Sequence, residues 1–274
     1  MRGELILIGT PIGNLGDLTQ RARETLRGLD VLYCEDTRVT GKLTSHLGLK
    51  VPLRALSDDH SDSRAQEAVD AVKAGHRVGF VTDAGMPGIS DPGRRLVRTA
   101  WDSGLTPSVV PGPSSVGTAL AACPFVENRF RFVGFPPRKA GERLEFIEML
   151  DSSEEPCFFF ESPHRVHGLL NELCATLEPE RELLIGREMT KLHEQVELFC
   201  ADEWNALSPS LPEMGEYTVA VAGRPPERNN GRSEDELKAA LKRLTRAEFS
   251  KRDAVKALAA IWEVSPNDLK KLLY

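Results

Sequence analysis

Residues 77–93 read RVGFVTDAGMPGISDPG and join a short apolar run to a loop that cannot be regular structure. The apolar part, Arg77–Thr82, has the length and composition of a buried β-strand. The next eleven residues hold three glycines, two prolines and two aspartates, which favour turns. Because α/β proteins bind ligands at the carboxyl ends of their strands, the stretch predicts an α/β fold with a binding site at Asp83–Gly93. A simpler interpretation, in which Asp91 and Pro92 start a helix that runs to Trp101, explains those two residues but not the cluster before them.

The first half of the chain repeats this alternation of short apolar runs and amphipathic segments. Helices are predicted at Thr19–Arg27, which begins at a capping threonine, and at Ser61–Ala74, whose apolar residues recur at helical spacing. Strands with helical crossovers make a mostly parallel sheet that is covered on both faces. The predicted strands are Glu4–Gly9, Val31–Glu35, Val51–Ala55, Arg77–Thr82 and Ser108–Val110.

Residues 111–115, PGPSS, interrupt the alternation, because two prolines around a glycine continue neither a helix nor a central strand. A domain boundary is therefore predicted near this run. Beyond it, helices are predicted near Gly141–Leu150 and Pro163–Leu177, and the later strands are closely spaced, which indicates a partly antiparallel second sheet. The strands predicted for this sheet are Phe130–Phe135, Cys157–Glu161, Leu183–Arg187, Gln195–Cys200 and Tyr217–Ala222.

The composition changes after Gly223 to RPPERNNGR, which predicts a linker before a helical module. Three helices are marked by a serine with an acidic residue three positions later: Ser233 with Glu236, Ser250 with Asp253, and Ser265 with Asp268. The middle helix carries Ala254, Val255, Leu258, Ala259, Ile261 and Trp262 along one face. We therefore predict an α/β domain at 1–118, a second α/β domain at 119–224 and a helical module at 232–274.

The overall charge and the cysteines limit the classes of partner. The net charge of −6 argues against a protein coated in basic surface, although residues 232–274 carry 10 Lys and Arg against 7 Asp and Glu. A nucleic acid would have to bind local basic patches; an ordinary solvated helix surface also explains this tail. The five scattered cysteines form no C-x-x-C pair, and no apolar run approaches the ~20 residues of a membrane span. We expect a cytoplasmic protein without a metal site or a membrane anchor.

A second glycine-rich turn, GTPIGNLG at residues 9–16, follows the first predicted strand. Its spacing is not G-x-G-x-x-G, no G-K-[S/T] follows, and Pro11 removes a backbone donor that a phosphate would use. Nucleoside triphosphates are therefore disfavoured. The pair Glu35-Asp36 lies where a dinucleotide fold places its ribose-binding carboxylate, so a nicotinamide cofactor stays an alternative, as does Asp36 as the N-cap of the next helix.

Six motifs run along the chain in a fixed order: GTPIGNL (9–15), EDTR (35–38), DAGMPGISDPG (83–93), PGPSS (111–115), ESPHR (161–165) and REMTK (187–191). In that order they resemble the tetrapyrrole-methylase superfamily. More narrowly they resemble its ribosomal RNA branch, which modifies the 2′-hydroxyl of a decoding-centre cytidine in the small ribosomal subunit. The resemblance covers essentially the whole chain.

The resemblance implies two α/β domains, commonly in a homodimer, with S-adenosylmethionine bound in the cleft between them and 16S rRNA as the substrate. Where tetrapyrrole enzymes tend to show Gly-Asp-Pro, this chain has Asp83-Ala-Gly, which favours the RNA branch and leaves the contact of Asp83 open. By the same resemblance, the cofactor-binding residues are Pro11, Asp83, Ala84, Gly85, Ile89, Ser90, Ser114, Ser115, Phe160, Glu161 and Met189.

Methyl transfer to a ribose hydroxyl requires no metal, but a base or a cation near the oxygen would help. Arg187, Glu188 and Lys191 combine a carboxylate with two cations near the end of a predicted strand, so they are the candidate catalytic residues. Asp58 and His60 are an alternative from the first domain. A structural ion pair between Arg187 and Glu188 is the competing interpretation of that pair.

An RNA substrate must also be held away from the reacting ribose, where cations neutralise phosphates. The module at 232–274 favours RNA, because a soluble tetrapyrrole needs no such appendage, although it would also serve as a dimerisation element. Two rival functions stay open: a methylase of a tetrapyrrole or another small molecule, and a non-catalytic RNA-binding factor. The candidate RNA-binding cations are Arg38, Arg138, Lys139, Lys251, Arg252, Lys256, Lys270 and Lys271.

Overall fold

A computed structural model describes residues 3–56, 61–225, 234–246, 249–262 and 266–271. The chain divides into two compact units, Met1–Gly223 and Arg224–Tyr274. Among the described residues, no helix has both the length and the apolar character needed to cross a membrane. The same residues contain no group of three His, Cys, Asp or Glu side chains arranged to hold a metal ion.

The first sheet has five strands in the order β3-β2-β4-β1-β5, and every neighbouring pair is parallel. The predicted parallel sheet is therefore confirmed, with strand ends that differ from the prediction by one or two residues. Parallel strands have their carboxyl ends at one edge, so the loops after β1, β2 and β4 lie on the same side. The strands are β1 (Glu4–Ile8), β2 (Val31–Cys34), β3 (Leu53–Ala55), β4 (Arg77–Val81) and β5 (Ser108–Val110).

Four helices accompany this sheet, and apolar cores fill both of its faces. One core contains Val69, Phe80 and Leu96, and the other contains Leu26 and Leu32. This double burial explains why the strands are almost continuously apolar rather than alternating. The helices are α1 (Gln20–Arg27), capped by Thr19, α2 (Thr37–His46), capped by Asp36, α3 (Ser61–Lys73) and α4 (Gly93–Asp102).

The second sheet has the order β6-β7-β10-β8-β9, with β6 parallel to β7 and the other pairs antiparallel. The predicted mixed sheet is therefore confirmed. Phe159, Leu170 and Trp204 are buried in the core on one of its faces. The strands are β6 (Arg131–Phe132), β7 (Cys157–Glu161), β8 (Glu182–Arg187), β9 (Gln195–Cys200) and β10 (Tyr217–Val221).

The remaining helices of this unit are α5 (Ser115–Ala122), α6 (Ala140–Ser152), α7 (Pro163–Thr176) and the short α8 (Trp204–Leu207). Helix α5 was not predicted, and the boundary predicted between residues 118 and 119 falls inside it. Its Ala119 belongs to a core with Phe158 and Ala220 of the second sheet. The division into two α/β domains itself stays a prediction.

Strand β6 is shorter than the predicted Phe130–Phe135. Gly134 has a φ of 76° and Pro136 follows closely, so the chain leaves the extended conformation after Phe132. Backbone hydrogen bonds to β7 continue only as far as Val133, which donates to the Phe158 carbonyl, and Gly134, which accepts from the Phe160 amide.

The C-terminal unit contains α9 (Glu234–Arg246), α10 (Lys251–Trp262) and α11 (Pro266–Lys271) around a small apolar core. Ser250 caps α10, because its Oγ accepts a hydrogen bond from the Asp253 amide at 3.1 Å. The predicted caps Ser233 and Ser265 lie outside the described residues. Ile261 is 70% exposed, so its predicted place on the apolar face of α10 was wrong. It lies at the edge of the helix face that the buried Ala254, Val255 and Leu258 form.

Replacing Gly112 by alanine is expected to destabilise the protein by about 1–3 kcal/mol, as overpacking does. A Cβ atom there would lie 2.9 Å from the backbone of Gly9, which cannot move without shifting β1. Urea unfolding of the variant measures the effect. Gly168→Ala is the control, since no atom lies within 4 Å of its added Cβ and alanine favours the helix by about 1 kcal/mol. Equal stability changes in both variants would contradict the close approach of Gly9 and Gly112.

Candidate functional site

A cavity of about 370 Å³ opens at the carboxyl edge of the first sheet, between its loops and the second sheet. The loops after β1, β2 and β4 form one wall, and the carboxyl end of β7 and the start of β10 form another. A space of this size is typical of a small-molecule cofactor site. The cavity is lined by Ile12, Glu35, Thr82, Asp83, Ala84, Ile89, Ser90, Ser115, Phe135, Phe160, Glu161, Ser162, Pro163, Met189, Gly215, Glu216, Tyr217 and Thr218.

The loop after β4 is held in shape by the carboxylate of Asp91. Its Oδ2 accepts hydrogen bonds from the amides of Gly88 at 2.6 Å and Ile89 at 2.9 Å, and its Oδ1 accepts one from Gly93 at 2.7 Å. Gly88 and the non-glycine Ser90 have positive φ angles of 94° and 60°. Asp91 therefore supports the start of α4, as the simpler interpretation held, and also fixes the strained backbone that carries Ile89 and Ser90 to the cavity.

Glu35 and Asp83 form the acidic end of this wall. Glu35 accepts a hydrogen bond from Thr82 Oγ1 at 2.8 Å, and Asp83 Oδ1 accepts one from the Asp36 amide at 3.0 Å. Burial, reinforced by the negative charges of Glu35 and Asp36, raises the pKa of Asp83 above its usual value. Asp83 is therefore more basic than an ordinary aspartate.

Asp36 is the N-cap of α2, which is one of the two roles that the sequence allowed for it. Its side chain caps α2 by accepting a hydrogen bond from the Arg38 amide at 2.7 Å. The hydrogen bonds from Arg38 lower the pKa of Asp36 to about 2. The residue that a nicotinamide site would use for its ribose is thus committed to the helix start.

Glu161 brings a buried carboxylate to the cavity from the end of β7, with only 3% of the residue exposed. Its Oε1 accepts hydrogen bonds from the amide and hydroxyl of Ser162. Its Oε2 lies 3.0 Å from Arg165 Nη2, but that nitrogen donates to the carbonyls of Pro136 and Pro137. Among the described residues, Oε2 therefore has an ionic neighbour and no hydrogen-bond donor.

The predicted catalytic residues Arg187, Glu188 and Lys191 are not among the residues that line the cavity, and their catalytic role stays a prediction. Arg187 is buried, and its guanidinium donates to the carbonyls of Met214 and His193 and to Gln195 Oε1, at 2.9 to 3.1 Å. These acceptors engage Nε and Nη1, so Arg187 fastens two loops together. The alternative of an Arg187–Glu188 ion pair is replaced by this set of contacts.

Glu188 and Lys191 are likewise bound to protein groups. Lys191 Nζ donates to Glu188 Oε1 at 2.7 Å and to Glu216 Oε2 at 3.1 Å, and the Glu216 amide donates to the same Glu188 oxygen at 3.0 Å. Partial burial acts to raise the pKa of Glu188, but the hydrogen bonds from Lys191 and the Glu216 amide lower it by more. The net lowering makes Glu188 a poor base. The alternative pair, Asp58 and His60, lies outside the described residues.

Most of the predicted cofactor residues meet at the cavity. Pro11, Gly85 and Ser114 are not among its lining residues: Ile12 takes the place of Pro11, the Gly85 carbonyl accepts from the Thr10 amide, and Ser114 caps α5. Glu216, Tyr217 and Thr218 also line the cavity but were not predicted, because the sequence at the start of β10 has the pattern of an ordinary buried strand. The predicted residues that line the cavity are Asp83, Ala84, Ile89, Ser90, Ser115, Phe160, Glu161 and Met189.

The predicted RNA-binding cations are all exposed. The Arg38 side chain, 87% exposed, contacts Asp36 at 2.6 Å, and Lys139 contacts Glu142 at 2.9 Å. Such surface pairs are weak and leave the cations available to a stronger anion. The remaining predicted cations, also exposed, are Arg138 in the first unit and Lys251, Arg252, Lys256, Lys270 and Lys271 in the second.

Comparison with known proteins identifies relatives over most of the chain. Residues 4–203 match the family model of Tetrapyrrole (Corrin/Porphyrin) Methylases. The Ribosomal RNA small subunit methyltransferase I of Synechocystis sp. is 36% identical over 94% of this chain and 92% of its own length. The protein of the same name from Thermotoga maritima is 40% identical over 81% of this chain and 99% of its own length.

Solved structures with the same fold are more distant in sequence. The methyltransferase CobJ superposes with a TM-score of 0.60 at 18% identity, over 84% of this chain and 97% of its own. Uroporphyrin-III C-methyltransferase from Thermus thermophilus, complexed with S-adenyl homocysteine, superposes with a TM-score of 0.55 at 16% identity, over 80% of this chain and 97% of its own. These likenesses establish the fold.

Replacing Glu188 by glutamine tests the role assigned to this residue. Since the folded pKa of Glu188 is lowered, its ionised carboxylate stabilises the protein above the ordinary pKa of 4.5, and this stabilisation is lost as the pH falls through the lowered value. We expect the wild type to be more stable than Glu188→Gln by about 1 kcal/mol at pH 7, and the two to converge on acidification. Urea unfolding between pH 7 and pH ~3 measures this difference.

The exposed Glu145 of α6 provides the control, because Glu145→Gln should change stability by less than about 0.5 kcal/mol at either pH. A deficit of Glu188→Gln that is independent of pH would contradict the ionised role of Glu188.

Proposed function

The chain belongs to the tetrapyrrole methylase family, within the group of ribosomal RNA small subunit methyltransferase I proteins, and we propose that it methylates small-subunit ribosomal RNA with S-adenosylmethionine as the methyl donor. The finer proposal, which rests on the family resemblance of the motifs alone, is transfer to the 2′-hydroxyl of a decoding-centre cytidine, cytidine 1402, in 16S ribosomal RNA. The proposal of small-subunit RNA methylation is carried by similarity to ribosomal RNA small subunit methyltransferase I proteins over up to 94% of this chain.

The lining of the cavity fits a cofactor that is a cation with an apolar body. Glu35, Asp83, Glu161 and Glu216 supply carboxylates, while the lining also includes Ile12, Phe160 and Met189. S-adenosylmethionine supplies an electrophilic methyl group on a positively charged sulfonium. Carboxylates in a partly enclosed site favour such a charge. The Oε2 of Glu161, which accepts no hydrogen bond among the described residues, offers an acceptor for a hydroxyl or ammonium donor of the cofactor.

Asp83 is the residue that we propose as the acceptor of the ribose proton, in place of Glu188. It lines the cavity, its Oδ1 is held by the Asp36 amide, and among the described contacts its Oδ2 is free to meet the hydroxyl. A raised pKa makes it a better general base than a carboxylate that is paired with a cation. Glu188 and Lys191 then act indirectly, by fixing the backbone of Met189 and Glu216 at the cavity wall.

RNA contacts away from the cavity are assigned to Arg38, Arg138 and Lys139, and to the cations of the C-terminal unit at 251, 252, 256, 270 and 271. Their exposure supports this proposal, since phosphate-binding cations must be accessible. The use of the C-terminal unit for dimerisation stays the alternative. The homodimer and the cytoplasmic location likewise stay predictions.

Labelled S-adenosylmethionine, offered with small ribosomal subunits, free 16S ribosomal RNA or a tetrapyrrole, is expected to transfer its label to the small-subunit RNA. A 2′-O-methyl group blocks alkaline attack on the adjacent phosphate, so the modified linkage should resist alkali and mass spectrometry should find the methyl on the ribose. Methyl on the base would refute the ribose assignment. Label in the tetrapyrrole would favour the small-molecule methylase, and no binding of the methyl donor would favour a non-catalytic RNA-binding factor.

Asp83→Asn is expected to lower kcat for small-subunit methylation by about 10²- to 10⁴-fold, the usual contribution of a general base. The wild-type rate should rise with pH as Asp83 ionises, and the variant should lose that rise. Single-turnover rates across pH, with calorimetry of cofactor binding, separate catalysis from affinity. The exposed Asp202 supplies the control variant Asp202→Asn. A rate within twofold of wild type in Asp83→Asn would exclude this role.

A further inference from the structure

A second cavity, of about 510 Å³, adjoins the first at the same edge of the sheet. The two cavities share Glu35 and Ser90 in their walls. The other wall of the second cavity is the start of α4, which contributes Arg94, Arg95 and Arg98. We call this second cavity the arginine groove. It lies directly beside the site proposed for methyl transfer, and no role described so far uses it.

The three arginines form one continuous cationic surface. Arg94 and Arg98 are four residues apart and Arg95 and Arg98 are three apart, so each of these pairs lies about one helical turn apart, with Cβ atoms roughly 5–6 Å apart. All three are exposed. Several guanidinium groups so close together in a protein of net charge −6 mark a local site for anions.

The ion pairs of this surface are weak. Arg95 contacts Asp62, and Arg98 contacts Asp102 at 3.0 Å, with the Arg98 side chain 75% exposed. Exposed pairs of this kind contribute about 0–1 kcal/mol, so a phosphate can replace the carboxylate at little cost. Arg94 makes no ion pair with any side chain that the structure describes.

Among the described residues, neither acidic residue of the groove forms an ion pair with these arginines, and three of the four carboxylate oxygens accept hydrogen bonds from protein donors. Both oxygens of Asp91 accept backbone amides of its own loop, and Glu35 accepts the Thr82 hydroxyl. These carboxylates therefore do not neutralise the arginines by direct ion pairs. The acidic cavity and the arginine groove together offer adjoining sites of opposite charge.

We propose that Arg94, Arg95 and Arg98 bind backbone phosphates of the RNA next to the nucleotide that is methylated. The proposal rests on the proposed function, and it names the surface that holds the substrate beside the methyl donor. A guanidinium presents a planar pair of N–H donors that matches two phosphate oxygens, which makes arginine well suited to this contact. Successive phosphates on one strand also match a row of cations better than a single compact anion does.

The test compares the triple variant Arg94→Gln/Arg95→Gln/Arg98→Gln with the wild type in binding to unmethylated small ribosomal subunits and to free 16S ribosomal RNA. Each lost contact to single-stranded RNA should reduce the slope of log affinity against log salt by about 0.7, so the triple variant should lose about 2 from the slope. Its KM for small subunits should rise at least tenfold, while its affinity for S-adenosylmethionine should not change.

The matched control is the triple variant Arg27→Gln/Lys50→Gln/Lys73→Gln. It removes the same charge from three exposed residues that precede β2, β3 and β4 and therefore lie toward the opposite edge of the sheet, where these strands begin. It should keep the wild-type salt slope and KM. The single variant Arg94→Gln disturbs no described ion pair and should show about a third of the change in slope. A change of that size would show that the loss in the triple variant does not come from misfolding.

Wild-type RNA affinity and KM in the triple variant, with an active wild type, would overturn the arginine groove as a phosphate site and leave the proposed function intact. A wild type that neither binds nor methylates small-subunit RNA would overturn the proposed function first, and this inference with it. If the wild type instead methylates a tetrapyrrole and the triple variant raises the KM for that substrate, the groove recognises carboxylates and the RNA assignment is wrong.

Discussion

Parallel pairing of the five strands of the first sheet is the constraint on which the rest of the molecule depends. It brings the carboxyl ends of β1, β2 and β4 to one edge, with β4 at the centre. Loops that are far apart in sequence therefore meet, and Glu35 can accept a hydrogen bond from Thr82 across 47 residues. Both cavities lie at this edge, where these loops meet.

The second sheet completes the site by supplying a buried charge and a rigid frame for it. Glu161 ends β7, and the segment before β10 brings Gly215 and Glu216 beside it. Arg187 joins the loop after β8 to the segment before β10, and Lys191 joins Glu188 to Glu216. Arg187, Glu188 and Lys191 thus hold the wall in place, while Asp83 lines the cavity itself.

The sequence was informative where local chemistry determines structure. Apolar runs between glycine- and proline-rich turns predicted both sheets, and the density of the loop after β4 predicted Asp83, Ile89 and Ser90 at the site. Partners that are remote in sequence could not be predicted: nothing near Arg187 indicates that its Nε will donate to the Met214 carbonyl. Helix α5 was not predicted, because its short alanine-rich sequence has little amphipathic pattern. Arg94, Arg95 and Arg98 were not predicted as site residues, because their place beside the cavity depends on the fold.

The contact between Gly9 and Gly112 has a further consequence for how this sequence can change over time. A side chain at either position meets main-chain atoms of the other, at 2.7 Å in one direction and 2.9 Å in the other. Because both obstacles are backbone, no compensating mutation at the partner can relieve the clash. Both positions are therefore restricted to glycine independently of each other. An alignment of related sequences would show glycine at both, without the covariation that usually reveals a contact.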